Sequence, residues 1–265
     1  MSLRKGALVV LLCSVLAASL TLVGCARNVG NLVKPGTLTV GSDCNSPPFI
    51  SMEGTTLVGF EYELMQAIGK EMGLKVEYLA PQTFDSILVQ VAAGVKMDIG
   101  VSSIAITSDR KKLVDFCLPY CVVNQAIVTL KADNYSSYHD LESKTVGAQS
   151  GSTGEAWALE NISDVTIKTY TQASGALLAL LAGDIEAVVL DELVAAHLLA
   201  ETTYSMCEII HVAATAEQYG FAVAQDNPAL RDAVNKALVK LKQNGTFDTL
   251  FRKYFPNVDP PPIKP

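Results

Sequence analysis

The 265-residue chain is mildly acidic, with a net charge of −7, 49% hydrophobic residues and 18% charged ones. That length accommodates one or two domains with cores of their own. The charge balance offers no basic face for nucleic acid and no polybasic surface for a membrane.

The chain opens with Arg4 and Lys5, an uncharged apolar run from Ala7 to Val23, and the ending Leu22-Val23-Gly24-Cys25. A basic start, a short apolar stretch and small residues before a cut predict an export signal over residues 1–24, outside the fold. The alternative is an uncleaved anchor helix, but the run is marginal for a membrane span and lacks a stop-transfer flank. Either way the remainder is expected outside the cytoplasm. The Leu-x-Gly-Cys ending resembles the lipobox of bacterial lipoproteins. That resemblance implies a diacylated Cys25 as the mature N-terminus, with residues 25–36 as a lipidated tether; two acyl chains suffice for stable attachment.

Cleavage removes two positive charges and Cys13, so the mature chain is more acidic still. Cys44, Cys117, Cys121 and Cys207 remain, and four cysteines allow three pairings. An exported location permits disulfides. The expectation is at most one, Cys117 with Cys121, or four buried thiols. No Cys-x-x-Cys occurs, and His139, His197 and His211 sit at no metal-ligand spacing. Neither a metal nor a cofactor is expected.

From residue 37 short strands alternate with amphipathic helices. Thr37 to Gly41 alternates as a strand. Phe60, Leu64, Ile68 and Met72 recur at helical spacing before a capping Gly73. A strand over Val76 to Leu79 leads to a helix over Phe84 to Ala93 that stops at Gly94, and a strand follows over Asp98 to Ser102. The rhythm restarts with a strand at Thr145 to Ala148, a helix at Ser152 to Glu160, and a strand at Val165 to Tyr170. A helix over Ser174 to Ala182 and a strand over Ala187 to Leu190 come next. Asn227-Pro228 opens a long helix with Leu230, Val234, Leu238 and Leu241 on one face, stopped at Gly245. A last helix covers Thr246 to Tyr254, and the proline-rich end, Pro256 to Pro265, reads as an extended tail. The pattern predicts two α/β halves, each a mostly parallel sheet flanked by helices. Such sheets bind ligands beyond the carboxyl ends of their strands.

Three sites stand at those ends. Ser102 and Ser103 are small hydroxylated residues, and Arg110, seven residues past Ser103, carries a planar fork suited to a carboxylate. Its ordinary reading is a solvated helix start, since Lys111 and Lys112 follow. Gln149-Ser150-Gly151-Ser152-Thr153-Gly154-Glu155 opens the second lobe's first helix. Ser152 with Glu155 fits a capping box, and free N–H groups there form an anion seat or merely a cap. Asp191 directly follows a strand, as an ammonium partner or as a helix cap. Together the three offer a cation, an anion seat and an anion, the complement of a zwitterion.

Four stretches in this order carry a resemblance to the extracellular solute-binding proteins (family 3) of polar amino acid ABC transporters. They are Pro48-Phe49 with Leu57 through Glu61, then Asp98 through Phe116, then Gly183 through Asp191, then Gln218 through Ala222 with Asn244-Gly245-Thr246. The resemblance implies a type II periplasmic-binding-protein clamshell joined by two crossings near Tyr120–Asn124 and Thr215–Tyr219. Lobe one would hold 37–122 plus 217–255, lobe two 123–216, with 256–265 as the tail. It implies that Arg110 holds the substrate carboxylate with Thr153 and Ser152 at the helix start. Ser102 and Ser103 would line the strand end, with Ser103 contributing a backbone group, and Asp191 would take the ammonium. Phe84 would pack on the substrate, and Asp43 and Gln149 would line the side-chain pocket. Two positions depart from the family pattern. Ala105 stands where a hydroxyl usually meets the ammonium, and Ser46 where an aromatic lid is common. Phe49 or Cys44 is the expected compensation.

The chain is therefore expected to be an extracytoplasmic, lipid-anchored receptor that binds one free amino acid and hands it to ABC permease subunits, with no catalysis. A monomer is expected. An uncharged polar side chain is the first ligand expected, with cystine and a basic amino acid next. The alternative is an exported enzyme like cyclohexadienyl dehydratase, which would need an acid near the leaving group; Glu53 and Glu61 are the candidates.

Overall fold

A computed structural model describes residues 29–264. The predicted signal, Cys13 and the lipidated Cys25 lie outside the described residues. The first half begins with β1 (Thr37–Gly41) and a small antiparallel sheet of β2 (Asn45–Ser46), β3 (Ile50–Glu53) and β4 (Thr56–Val58). Then come α1 (Phe60–Met72), β5 (Lys75–Tyr78), α2 (Phe84–Ala93), β6 (Ile99–Gly100) and β7 (Asp115–Phe116). A ten-residue strand, β8 (Cys121–Leu130), runs into the second half. That half contains β9 (Thr145–Gln149), α3 (Thr153–Asn161), β10 (Thr166–Tyr170), α4 (Ala173–Ala182), β11 (Ala187–Asp191) and α5 (Glu192–Leu199). The thirteen-residue β12 (Cys207–Tyr219) returns to the first half, which β13 (Ala222–Val223), α6 (Pro228–Gln243) and α7 (Thr246–Tyr254) complete.

The two main sheets have the orders β5-β1-β6-β13-β7 and β10-β9-β11-β8-β12. In each, four strands share one direction and a single strand, β13 or β8, runs against them. This is the two-lobe clamshell expected from the sequence. Both crossings are long paired strands rather than the short segments anticipated. β8 and β12 pair at Cys121 with Tyr219 and at Val123 with Glu217, and the register then slips before Gln125 meets Ala213. Ala216, at φ 49°, lies in that slip, and its N–H is taken by Asn124 Oδ1 at 3.1 Å. A break of this kind is where a strand bends.

Helix ends follow the glycines. Gly73 and Gly94 terminate α1 and α2 in the left-handed conformation that glycine adopts without strain. Gly245 has a different position from the one expected. Asn244 caps α6, and Gly245, at φ 78°, begins α7. The strand expected over Asp98 to Ser102 shrinks to Ile99–Gly100. Asp98 spends its carboxylate on the N–H groups of Val33 and Thr39, both at 2.7 Å, and Ser103 turns to φ 50°.

Lobe one is centred on aromatics from distant parts of the chain. Phe60 meets Phe251 edge-on at 5.4 Å, and Tyr120 stacks on Phe221 at 4.5 Å. These contacts bind α1, the first crossing and the returning C-terminal helices into one core. The four described cysteines are buried free thiols, so the Cys117–Cys121 pairing is not formed. Burial pushes all four thiols above their ordinary range, which keeps them protonated. Among the described residues, no helix is long and apolar enough to cross a membrane.

Candidate functional site

The carboxyl end of β6 faces those of the neighbouring strands β9 and β11 across the cleft, and sequence-predicted residues collect there. The turn after β6 brings Arg110 back over the strand end. Its Nη1 donates to the Ala105 carbonyl at 2.8 Å, and its Nη2 donates across the cleft to the Gly151 carbonyl at 2.9 Å. The guanidinium stacks on Phe84, the first residue of α2, at 5.4 Å from the ring centroid. Burial lowers the Arg110 pKa, and the negative groups Asp191 and Glu217 oppose that shift. The reading of Arg110 as a solvated helix start therefore fails. Lys112 does face solvent, paired with Asp109 at 2.6 Å.

Ser152 caps α3, its Oγ accepting from the Glu155 N–H at 3.1 Å. The predicted capping box is only half formed. Glu155 reaches back to the Gly151 N–H at 2.8 Å instead of that of Ser152. Thr153, the first helical residue, donates its hydroxyl to Glu217 Oε2 at 2.5 Å.

Asp191 ends β11 and occupies the cap position of α5, yet its side chain makes no bond to that helix. Its Oδ1 accepts from Gln125 Nε2 at 2.5 Å instead. Desolvation raises the Asp191 carboxyl to about 6, aided by the like charge of Glu217; Gln125 and Arg110 pull the other way. Tyr219 Oη faces the same carboxylate, out of good hydrogen-bonding geometry.

On lobe one Asp43 is buried and bonded to the Ser102 hydroxyl. Its other oxygen accepts from Gln149 Nε2 at 2.9 Å, across the cleft. Burial raises the Asp43 pKa, and the Ser102 and Gln149 bonds partly offset that. Ser103 directs its N–H to the carboxylate of Glu61 at 2.8 Å, and its buried hydroxyl faces the same carboxylate out of good hydrogen-bonding geometry. Ala105 is buried and bridges Tyr219 of the second crossing.

Two expectations for the pocket wall change. Phe49 is fully buried between Tyr219, at 5.2 Å, and Phe255, at 4.8 Å, so it belongs to the lobe-one core and not to the cleft. Ser46 does line the cleft, with Gln149, Ser152 and Asp191, around a cavity of about 30 Å³. Larger concavities of about 620 and 490 Å³ run along α6, lined in part by Asp232, Lys236 and Lys240, and include none of the sequence-predicted site residues.

Gln125 and Glu217 were not anticipated. Gln125 lies in the mostly apolar run of β8, and a polar residue at such a position is itself a signal. Glu217 sits beside the Gln218-Tyr219-Gly220 stretch and comes into the cleft only because β12 crosses there. The ensemble sets one cation on lobe one against Asp191, Glu217 and Asp43.

The chain matches the profile of the bacterial extracellular solute-binding proteins, family 3, over residues 38–257. It is 30% identical over 224 residues to the L-cystine-binding protein TcyJ of Escherichia coli (strain K12), covering 83% of each chain. It is 29% identical over 251 residues to the arginine-binding extracellular protein ArtP of Bacillus subtilis (strain 168), covering 94% of this chain and 97% of that one. Among solved structures, an ancestral arginine-binding protein bound to arginine superposes with a TM-score of 0.78 at 38% identity, covering 83% of this chain and 98% of that one. The ancestral amino acid-binding protein AncCDT-1, a precursor of cyclohexadienyl dehydratase, superposes with a TM-score of 0.75 at 36% identity, covering 83% and 96%.

Proposed function

We propose, from the premise that the chain belongs to the bacterial extracellular solute-binding proteins, family 3, that it is the amino acid receptor of an ABC importer. The observation that carries this is the opposition of Arg110 on one lobe to Asp191 and the start of α3 on the other. A free α-amino acid presents a carboxylate and an ammonium a few bonds apart, and this cleft presents their complements. Neither charged end is fully matched unless both lobes close on the ligand. A ligand that touches both lobes therefore favours the closed state by its differential affinity.

The ligand class follows from the charge balance. With the ligand carboxylate on Arg110 and its ammonium held by Asp191 and Glu217, Asp43 remains without a cation. A cationic side chain uses that surplus, so a basic amino acid takes precedence over the uncharged polar ligand that the sequence alone favoured. Two relatives fit this order: the ancestral protein is bound to arginine and ArtP is named for it. TcyJ, named for L-cystine, keeps cystine next in line. Lipid attachment through Cys25, a site outside the cytoplasm and a monomeric state complete the reading.

A dehydratase is disfavoured. Glu61 is sealed beneath Ser103 and Tyr120, and Glu53 is exposed on the small outer sheet. Incubation with prephenate or arogenate, followed by absorbance, is expected to give no turnover.

The deciding experiment is a thermal-shift panel of the twenty amino acids with cystine and ornithine. A ligand at a hundredfold excess over its Kd stabilises by about 2.7 kcal/mol. A basic amino acid is expected to give the largest shift. A panel without any shift would overturn the receptor reading, and a preference for aspartate or glutamate would overturn the ligand class.

A further inference from the structure

Gln125 has no exposed surface, and a buried carboxamide is costly unless partnered. Its Nε2 lies 2.5 Å from Asp191 Oδ1, 3.1 Å from Glu217 Oε1 and 3.2 Å from Thr153 Oγ1. One nitrogen with two hydrogens is thus shared among acceptors at the end of β11, in β12 and at the start of α3. The opposite amide orientation would set a carbonyl oxygen against two carboxylates, so this one is required. Gln125 Oε1 is buried without a partner. Glycine at 154 makes room for it: a Cβ there would stand 3.0 Å from that oxygen and 2.8 Å from the Val189 carbonyl.

Asp191 and Glu217 share this nitrogen, so like charges are neighbours, and without a donor between them one would tend to take up a proton. The groups facing Asp191 come from three directions. Arg110 lies on the turn after β6, Glu217 and Tyr219 lie on β12, and Gln125 and Cys121 lie on β8. The adjacent Glu192 turns away and accepts from Asn124 Nδ2 at 3.0 Å.

We propose that Gln125 is the positioning residue for the cationic end of the cleft: a neutral spacer that holds Asp191 and Glu217 side by side as a paired carboxylate seat for the ligand's nitrogen. The consequence for binding rests on the amino acid receptor reading; the geometry does not. Gln125 acts through Asp191, and Glu217 compensates in the same seat for the hydroxyl that Ala105 lacks.

The test is a carbon-13 carboxyl titration of Asp191 in the full chain, with no amino acid present, in wild type, Gln125→Leu, Glu217→Gln and the double variant. Gln125→Leu removes a donor and is expected to raise the Asp191 midpoint by about one unit. Glu217→Gln alone removes the like charge and lowers it, and the double variant returns toward wild type. In parallel, calorimetric titration with arginine is expected to show about tenfold weaker binding for Gln125→Leu than for wild type at pH 5. That loss should shrink to less than about twofold by pH 7, and at pH 5 it should be reversed by adding Glu217→Gln. A loss caused only by a packing defect would be equal at every pH and would not be rescued. An unchanged Asp191 midpoint in Gln125→Leu, or no reversal in the double variant, overturns the proposal. Should Gln125→Leu not fold, Glu217→Gln alone decides, and a midpoint that does not fall overturns it. If wild type binds no amino acid, the receptor reading falls, and the titration still judges Gln125.

Discussion

The carboxyl of Glu61, at the start of α1, and that of Asp191, at the end of β11, are both raised by burial, the first to about 7 and the second to about 6. Their surroundings differ. Glu61 is held by a backbone N–H, that of Ser103, and by the Tyr120 hydroxyl, and the like charge of Asp43 adds to its upward shift. It has no cation among its partners and lies wholly inside lobe one. Asp191 is held by a side-chain amide and faces Arg110 from the opposite lobe. Burial alone therefore does not mark a binding carboxylate. What separates the two is whether the partners belong to one rigid body or to both halves of a closing cleft. Under the proposed function, Glu61 serves the fold and Asp191 the ligand.

The sharpest way to break that division is substitution on the cleft side. Asp191→Ala or Arg110→Met leaves its opposite charge unmatched, which costs about 3–5 kcal/mol for a buried partner. Calorimetric titration is expected to show loss of amino acid binding with an unchanged far-UV spectrum, while Glu61→Gln binds nearly as wild type. Comparable affinity losses in all three variants would erase the distinction.

The next effect is on stability against pH. The Glu61 carboxyl moves from an ordinary value of 4.5 to about 7 in the fold. For an acid raised on folding, the neutral form is the one that the fold favours. Its contribution is complete below about pH 4.5 and is lost as pH rises through 7, a change on the order of 3 kcal/mol. Asp191 adds to the same trend up to about pH 6. Urea unfolding from pH 4.5 to 8 is expected to show falling stability from this source, and Glu61→Gln should flatten most of it. An unchanged slope in Glu61→Gln would mean that the buried acid is already ionised across that range.

Glu61→Ala probes the same site without a titrating group. It leaves the Ser103 N–H and the Tyr120 hydroxyl unpaired and is expected to cost about 2 kcal/mol in urea unfolding. The smallest effect is on the cleft rim. Gln149→Ala removes the bond to Asp43 across the cleft, and calorimetry is expected to show binding weaker by about 1 kcal/mol with stability retained. A change in stability without a change in affinity would place Gln149 with Glu61 rather than with Asp191.

Local signals carried much of this protein. α2 and α7 coincide with their expected spans, Gly73 and Gly94 end their helices, and Ser152 caps α3. Periodicity and caps are properties of neighbouring residues, so they are legible without the fold. Strand ends can be located once strands alternate with helices, so the placement of Arg110, Thr153 and Asp191 at one cleft was legible too, whereas the roles proposed for them came from the family resemblance. Tertiary structure alone decided the rest. Phe49 belongs to the core because α7 returns to cover it, and β8 and β12 are long strands because they pair with each other. Gln125 and Glu217 meet across 92 positions through the slip in that pairing. No short-range pattern encodes a register between strands so far apart, and that register sets which carboxylates share the cleft.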